Sequence, residues 1–311
     1  MKALTVAALL LASMTIPAAT AATAAAATAS SATATATVHI VGAFYPVAYA
    51  AERVGGARVH VTNLTPAGAE PHDLELTPAQ IDEVLDANVV FDMGHRFQPA
   101  VEEAAQERSG PTVTLLDRLP IHAGSKNVAE GDPSALDPHV WLDPVLMRGI
   151  VKEVRNALTR ADPKGRAVYA RNAAGFDQQL QALDQRYRTA LGDCAIHVIV
   201  TSHEAFGYLA RRYGLQQQGV AGLSPDAEPD AKRIAQLTDL VKRDHIKVVF
   251  TETLVSPRIA DTLAHEAGVK TDVLDPLEGL TDADISHGAN YVTVMNSNLA
   301  KLTRALDCKT R

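Results

Sequence analysis

Three histidines and one aspartate stand apart from the other polar residues of this 311-residue chain. His72 sits in Pro66-Ala67-Gly68-Ala69-Glu70-Pro71-His72-Asp73. His139 sits in Asp137-Pro138-His139-Val140-Trp141-Leu142-Asp143-Pro144. His203 occurs in Thr201-Ser202-His203-Glu204-Ala205-Phe206, and Asp275 in Leu274-Asp275-Pro276-Leu277. All four lie in turn-like settings, and carboxylates flank the three histidines. Imidazole nitrogen and carboxylate oxygen are the donors that bind zinc, so these residue types allow a metal site. The four are far apart in the chain, unlike a compact His-x-x-x-His pair. Spacing alone leaves open a second reading, four unrelated loop residues.

The elements that would position them follow from periodicity. Short β-branched runs at Val38–Val41, Arg58–Thr62, Val89–Asp92, Thr112–Leu115, Ile196–Thr201, Lys247–Thr251 and Thr271–Leu274 predict strands. Helical patterns such as Pro78–Ala87, Ala231–Arg243 and Pro257–Ala267 lie between them, which predicts α/β layers with mostly parallel sheets. From Pro144 to Leu191 there is no strand signal. Asp162-Pro163 reads as a break with an N-cap, and Leu180, Leu183, Tyr187 and Leu191 mark one apolar face of a long helix. The expected organisation is therefore an N-terminal lobe at 38–162, a connecting helix at 163–192 and a second lobe at 193–311. In such sheets ligands bind beyond the carboxyl ends of strands, where His72, His203 and Asp275 fall. Of the eleven histidines, His39, His60, His245 and His265 read as surface or satisfied residues, and His95, His122, His197 and His287 have no metal-like setting.

Composition limits the function. A formal net charge of −7 argues against nucleic acid as a partner, because phosphate binding needs a basic surface. Met1-Lys2, an apolar run from Ala3 to Ala12 and Ala19-Thr20-Ala21 read as a secretory signal peptide over residues 1–21. Residues 22–37, almost entirely Ala and Thr, read as a disordered arm. No cysteine lies near the cleavage site, so no lipid anchor is expected, and the protein is placed in the periplasm. Cys194 and Cys308, the two cysteines, are expected to pair in that compartment, with two separate thiols as the alternative.

Taken together, these segments resemble the periplasmic zinc and manganese solute-binding proteins of ABC transporters, the cluster A-I or cluster 9 family. Phe44-Tyr45-Pro46, the His72, His139 and His203 segments, Leu223-Ser224-Pro225-Asp226-Ala227-Glu228-Pro229 and Leu274-Asp275-Pro276-Leu277 carry the likeness, in family order. The resemblance implies two Rossmann-like lobes joined by a long backbone helix, with Zn²⁺ held between them by His72, His139, His203 and Asp275. It also implies that His203 selects zinc, since manganese relatives usually carry Glu there. Glu70 resembles an acidic position that approaches zinc in relatives, as an alternate ligand or a support. Glu252, just after a strand, could orient a ligand or make a plain polar contact.

The function so implied is a zinc receptor, not an enzyme, that delivers its ion to an inner-membrane ABC permease. It is expected to act as a monomer. The stretch from His122 to Leu136 is short and holds one histidine, where many zinc relatives carry a long His-rich loop. That departure puts loop scavenging in doubt and points to a periplasmic metallochaperone as zinc donor. A manganese receptor, a metal-dependent adhesin and a zinc hydrolase are the alternatives. Four protein ligands would leave no open position for a catalytic water, and His203-Glu204 stops short of His-Glu-x-x-His.

Overall fold

A computed structural model describes residues 37–121, 136–226 and 229–309. The signal segment, all of the arm except Thr37, the stretch His122–Ala135 and Glu228 lie outside the described residues.

Two four-stranded parallel sheets organise the chain. The first contains β1 (Val38–Gly42), β2 (Val59–Asn63), β3 (Val89–Asp92) and β4 (Thr112–Thr114) in the order β2-β1-β3-β4. The second contains β5 (Val198–Thr201), β6 (Gln216–Gly219), β7 (Val248–Thr251) and β8 (Lys270–Val273) in the order β6-β5-β7-β8. Each sheet starts in its middle, adds a strand on one side and then crosses to the other. The order therefore reverses between β1 and β3, and again between β5 and β7, which opens a crevice at the carboxyl ends of those strands. The inner strands are buried on both faces, as helix-covered parallel strands must be: Val89–Asp92 is buried throughout.

The strand β6 is absent from the sequence-based expectation. Its Gln216-Gln217-Gln218 run offers neither β-branched residues nor alternation, and it forms at the sheet edge, where packing demands less of side chains.

Helices fill the crossovers. In the first lobe these are α1 (Tyr45–Gly55), α2 (Pro78–Asp86) and α3 (Pro99–Gln106). In the second they are α6 (Gly207–Arg212), α7 (Ala231–Arg243) and α8 (Arg258–Ala267), followed by α9 (Asp282–Ser286) and α10 (Tyr291–Ala305). Between the sheets in sequence run α4 (Pro144–Ala161) and α5 (Arg166–Ala190), separated by a 3-10 turn at Pro163–Gly165. Asp162 does not cap with its side chain. Its carboxylate accepts from the Tyr169 hydroxyl (2.7 Å) and from Arg58 Nε (2.8 Å), fixing the α4–α5 corner to the start of β2.

The face of α5 made by Tyr169, Ala173, Phe176, Leu180, Leu183 and Tyr187 is buried. It packs on α1 and α4 from one half of the chain and on α10 from the other. The Tyr187 hydroxyl donates to the Met295 carbonyl of α10 (2.7 Å). One helix thus shares its core face with both halves.

Cys194 and Cys308 form a disulfide across 114 positions, tying the residues before β5 to those after α10. Closing a loop of that length is worth about 4–5 kcal/mol in the chain-entropy account. A Cys194→Ser/Cys308→Ser variant is expected to lose stability of up to about that size in a urea titration of metal-free protein. A loss below about 1 kcal/mol would show that other contacts already hold these ends together.

Candidate metal centre

Four loops bring their side chains to one point at the carboxyl ends of the strands. His203 follows β5, and Glu252 follows the neighbouring strand β7, so both stand at the second sheet's switch point. The Glu252 carboxylate accepts from the His203 backbone N–H (2.9 Å) and from its Nδ1 (2.6 Å). Asp137 does the same for His139, taking its backbone N–H (3.0 Å) and its Nδ1 (2.9 Å) through one oxygen. A carboxylate only accepts, so in each histidine Nδ1 carries a hydrogen and Nε2 is the ring atom that faces the cluster, able to bind a metal once it has lost its own proton.

His72 is held differently. Its loop follows β2, and Glu70 accepts from its backbone N–H (2.9 Å). The ring sits edge-on to Phe97, with centroids 4.6 Å apart. Among the described residues, no carboxylate bonds its Nδ1 in the manner of Asp137 or Glu252.

The fourth group is Glu278. Its Oε1 lies 3.2 Å from His203 Nε2, 3.3 Å from His139 Nε2 and 3.4 Å from His72 Nε2, and the two Nε2 atoms of His139 and His203 are 3.3 Å apart. All four donor atoms fall within 4.8 Å of one another. Among the described residues, both Glu278 oxygens and His72 Nε2 are buried without a hydrogen-bond partner. A buried acceptor without a partner is costly, and four acceptors in contact repel unless a cation or protons lie among them. The geometry suits one ion. Four of the six edges of this tetrahedron are 3.2–3.4 Å, and a regular tetrahedron with edges of that length has its centre about 2.0 Å from each corner, the length of a zinc–nitrogen bond.

Charge follows the same arrangement. Burial alone would push the Glu278 carboxyl up, but His203, with His139 and His72, holds it well below the usual carboxylate range. Burial disfavours charge on His203 and His139. Glu252 and Glu278 nevertheless hold His203 well above the ordinary imidazole value, and Asp137 and Glu278 raise His139. For His72 burial prevails and its value is lowered, with Glu278 offsetting only part.

The structure therefore brings together His72, His139 and His203 and adds Glu278, which sequence reasoning passed over. Asp275 lies outside the group of converging donors: its Oδ1 accepts from the Leu277 N–H (2.7 Å), and burial pushes its carboxyl up to about 6. Glu70 Oε1 is 4.0 Å from His72 Nε2, and Glu70 groups instead with Asp73 and Asp226. Burial, reinforced by Glu278, pushes the Glu70 carboxyl up to about 8. A signal for Glu278 was present, since it is a second carboxylate in the same post-strand loop as Asp275. The three-residue offset concealed it.

Two parallel-sheet lobes with a buried three-histidine, one-carboxylate cluster at their strand ends define a two-lobed metal-binding class. Residues 40–305 match the family described as zinc-uptake complex component A, periplasmic (ZnuA), and the chain belongs to that family. It is 37% identical over 280 residues to the zinc-binding lipoprotein AdcA of Streptococcus pneumoniae, covering 87% of this chain and 56% of that protein. The chain thus spans about half the length of the AdcA relatives it matches. It is 35% identical over 279 residues to the high-affinity zinc uptake system protein ZnuA of Bacillus subtilis, covering 86% and 88% of the two chains. The crystal structure of the Zn(II)-bound ZnuA-like domain of S. pneumoniae AdcA superposes with a TM-score of 0.72 at 36% identity, covering 87% of this chain and 99% of that one.

Orientation of the histidines by Asp137 and Glu252 generates a prediction. Asp137→Asn and Glu252→Gln are each expected to weaken metal binding about 10- to 100-fold in a chelator-competition titration. Unchanged affinity in both would show that these carboxylates serve packing alone.

Proposed function

We propose that this protein captures Zn²⁺ outside the cytoplasm, in the site formed by His72, His139, His203 and Glu278, and delivers it to an ABC permease for import. The observation that carries this reading is the convergence of three Nε2 atoms and one carboxylate oxygen at 3.2–3.4 Å in a buried site. Three imidazoles with one carboxylate suit Zn²⁺, whereas Mn²⁺ favours a shell richer in oxygen. Four protein donors close the shell, which favours carriage of the ion over hydrolysis by a bound water.

The sequence of residues 1–21 supports export, and no helix among the described residues is long and apolar enough to cross a membrane. The lobes act as units divided at 38–162, 163–192 and 193–311, in a protein that works as a monomer. An inner-membrane permease accepts the ion, and a periplasmic metallochaperone supplies it.

Zinc must displace the protons that the Glu252, Asp137 and Glu278 carboxylates hold on His203 and His139. Both imidazoles sit above the ordinary value of 6.5, so competition begins at a higher pH than for free imidazole. Affinity is expected to fall as pH drops, by up to about tenfold per pH unit for each proton displaced. A flat affinity between about pH 8 and 5.5 would remove the histidines from the metal's shell.

Glu278→Gln is expected to weaken Zn²⁺ binding by at least about tenfold, and a His72→Ala/His139→Ala/His203→Ala variant to abolish it, by calorimetry on metal-free protein. Wild-type affinity in either would overturn the site. Loss of growth in a deletion strain under zinc chelation tests import. Unchanged growth with loss of adhesion would favour an adhesin.

A further inference from the structure

Asp275 stands in the right loop for a ligand yet turns its carboxylate to its own backbone. Its Oδ1 accepts the Leu277 N–H at 2.7 Å. Leu277 has φ 56°, in the left-handed region that a leucine rarely adopts, and its side chain is fully buried. Glu278 is the next residue. A leucine in that conformation is strained, and without a lock the backbone would relax toward an ordinary conformation.

The same short segment is pinned on all sides. Asn298 of α10 donates to the Asp275 carbonyl (2.7 Å) and accepts its N–H (3.1 Å). The indole N–H of Trp141, two residues beyond His139, donates to the Pro276 carbonyl (2.8 Å). The Gly68 N–H, four residues before His72, donates to the Leu280 carbonyl (3.0 Å). Gly279 lies so close to the His72 loop that an added Cβ would sit 3.3 Å from the Ala69 carbonyl. The backbone around Glu278 is thus tied to α10 and to the segments carrying His139 and His72.

We infer that Asp275 is a positioning residue: its carboxylate locks the left-handed kink at Leu277, and that kink aims Glu278 into the histidine cluster. This rests on the reading of Glu278 as a zinc ligand. The carboxylate acts here as a hydrogen-bond acceptor, and its charge is incidental. That distinction separates it from a ligand, because an asparagine oxygen can accept the same N–H but is a poor substitute for a metal-bound carboxylate.

Zinc affinity of purified full-length variants, measured against a chromophoric chelator, tests this. Asp275→Asn is expected to stay within about threefold of wild type, and Asp275→Ala to bind about tenfold or more weakly. Adding Leu277→Gly to Asp275→Ala is expected to recover most of that loss, because glycine takes a positive φ freely. Should that double variant not fold, a crystal structure of metal-free Asp275→Ala decides: a φ at Leu277 that has left the left-handed region supports the lock, and an unchanged φ overturns it. An Asp275→Asn loss equal to that of Asp275→Ala would overturn the inference and make the charge itself the active feature, as would an Asp275→Ala variant of wild-type affinity. Wild-type affinity in Glu278→Gln would overturn the site reading instead, whatever the Asp275 series gave.

Discussion

Four hydrogen-bond acceptors held in contact inside a protein are an unstable arrangement unless something positive lies among them. Glu278 Oε1 and the Nε2 atoms of His72, His139 and His203 form such a set. The surrounding structure resists its relaxation. Carboxylates fix two rings by their far nitrogens, an aromatic edge fixes the third, and a pinned loop fixes the glutamate. The surrounding carboxylates raise His203 and His139, and the three histidines in turn hold Glu278 low, so opposite charges within the cluster favour one another. On the proposed reading, metal binding exchanges protons for an ion among donors that already converge.

The fold supplies that rigidity through repetition. Both sheets have the same strand order, so both open a crevice at their switch points. The second sheet places His203 and Glu252 just beyond the ends of its two central strands, which are paired neighbours. His72 and Glu278 come from the loops after β2 and β8, and His139 from the segment directly before the 3-10 turn Val140–Leu142 that leads into α4. The α5 core face, shared by helices from both halves, and the Tyr187–Met295 bond give the lobes a common hydrophobic floor. Contacts near the site join the halves again: Tyr291 of α10 donates to the Trp141 carbonyl (2.5 Å), and Trp141 donates to Pro276.

The three histidines are not equivalent. His139 and His203 are fully buried and oriented through Nδ1, while His72 is slightly exposed and rests on Phe97. A carboxylate cradle raises the basicity of a histidine, and an aromatic edge does not. The opposite directions of their pKa shifts express this difference. His72 is therefore the member whose burial is least offset by carboxylates and so favours the neutral ring, while His139 and His203 hold their protons more tightly.

Much of this was legible in the sequence for plain physical reasons. Alternation of β-branched runs with helical periods determined two α/β lobes, and the stripe Leu180, Leu183, Tyr187 determined the long helix. His72 and His203 beyond strand ends and His139 just before a helix stood out by their turn-like settings with carboxylates nearby, and the family resemblance supplied their convergence. The edge strand β6 was not legible, because three glutamines carry no burial pattern. The fourth donor was not legible either. Asp275 and Glu278 share one loop, both are carboxylates, and the strand end points to the first. Only the backbone decides between them: a left-handed Leu277, locked by Asp275 and pinned by Asn298 and Trp141, turns the chain so that the second carboxylate meets the histidines. Residue types thus set the chemistry available to the loop. Which atom delivers it depends on hydrogen bonds from residues 23 to more than 130 positions away, which exist only once the tertiary structure has formed.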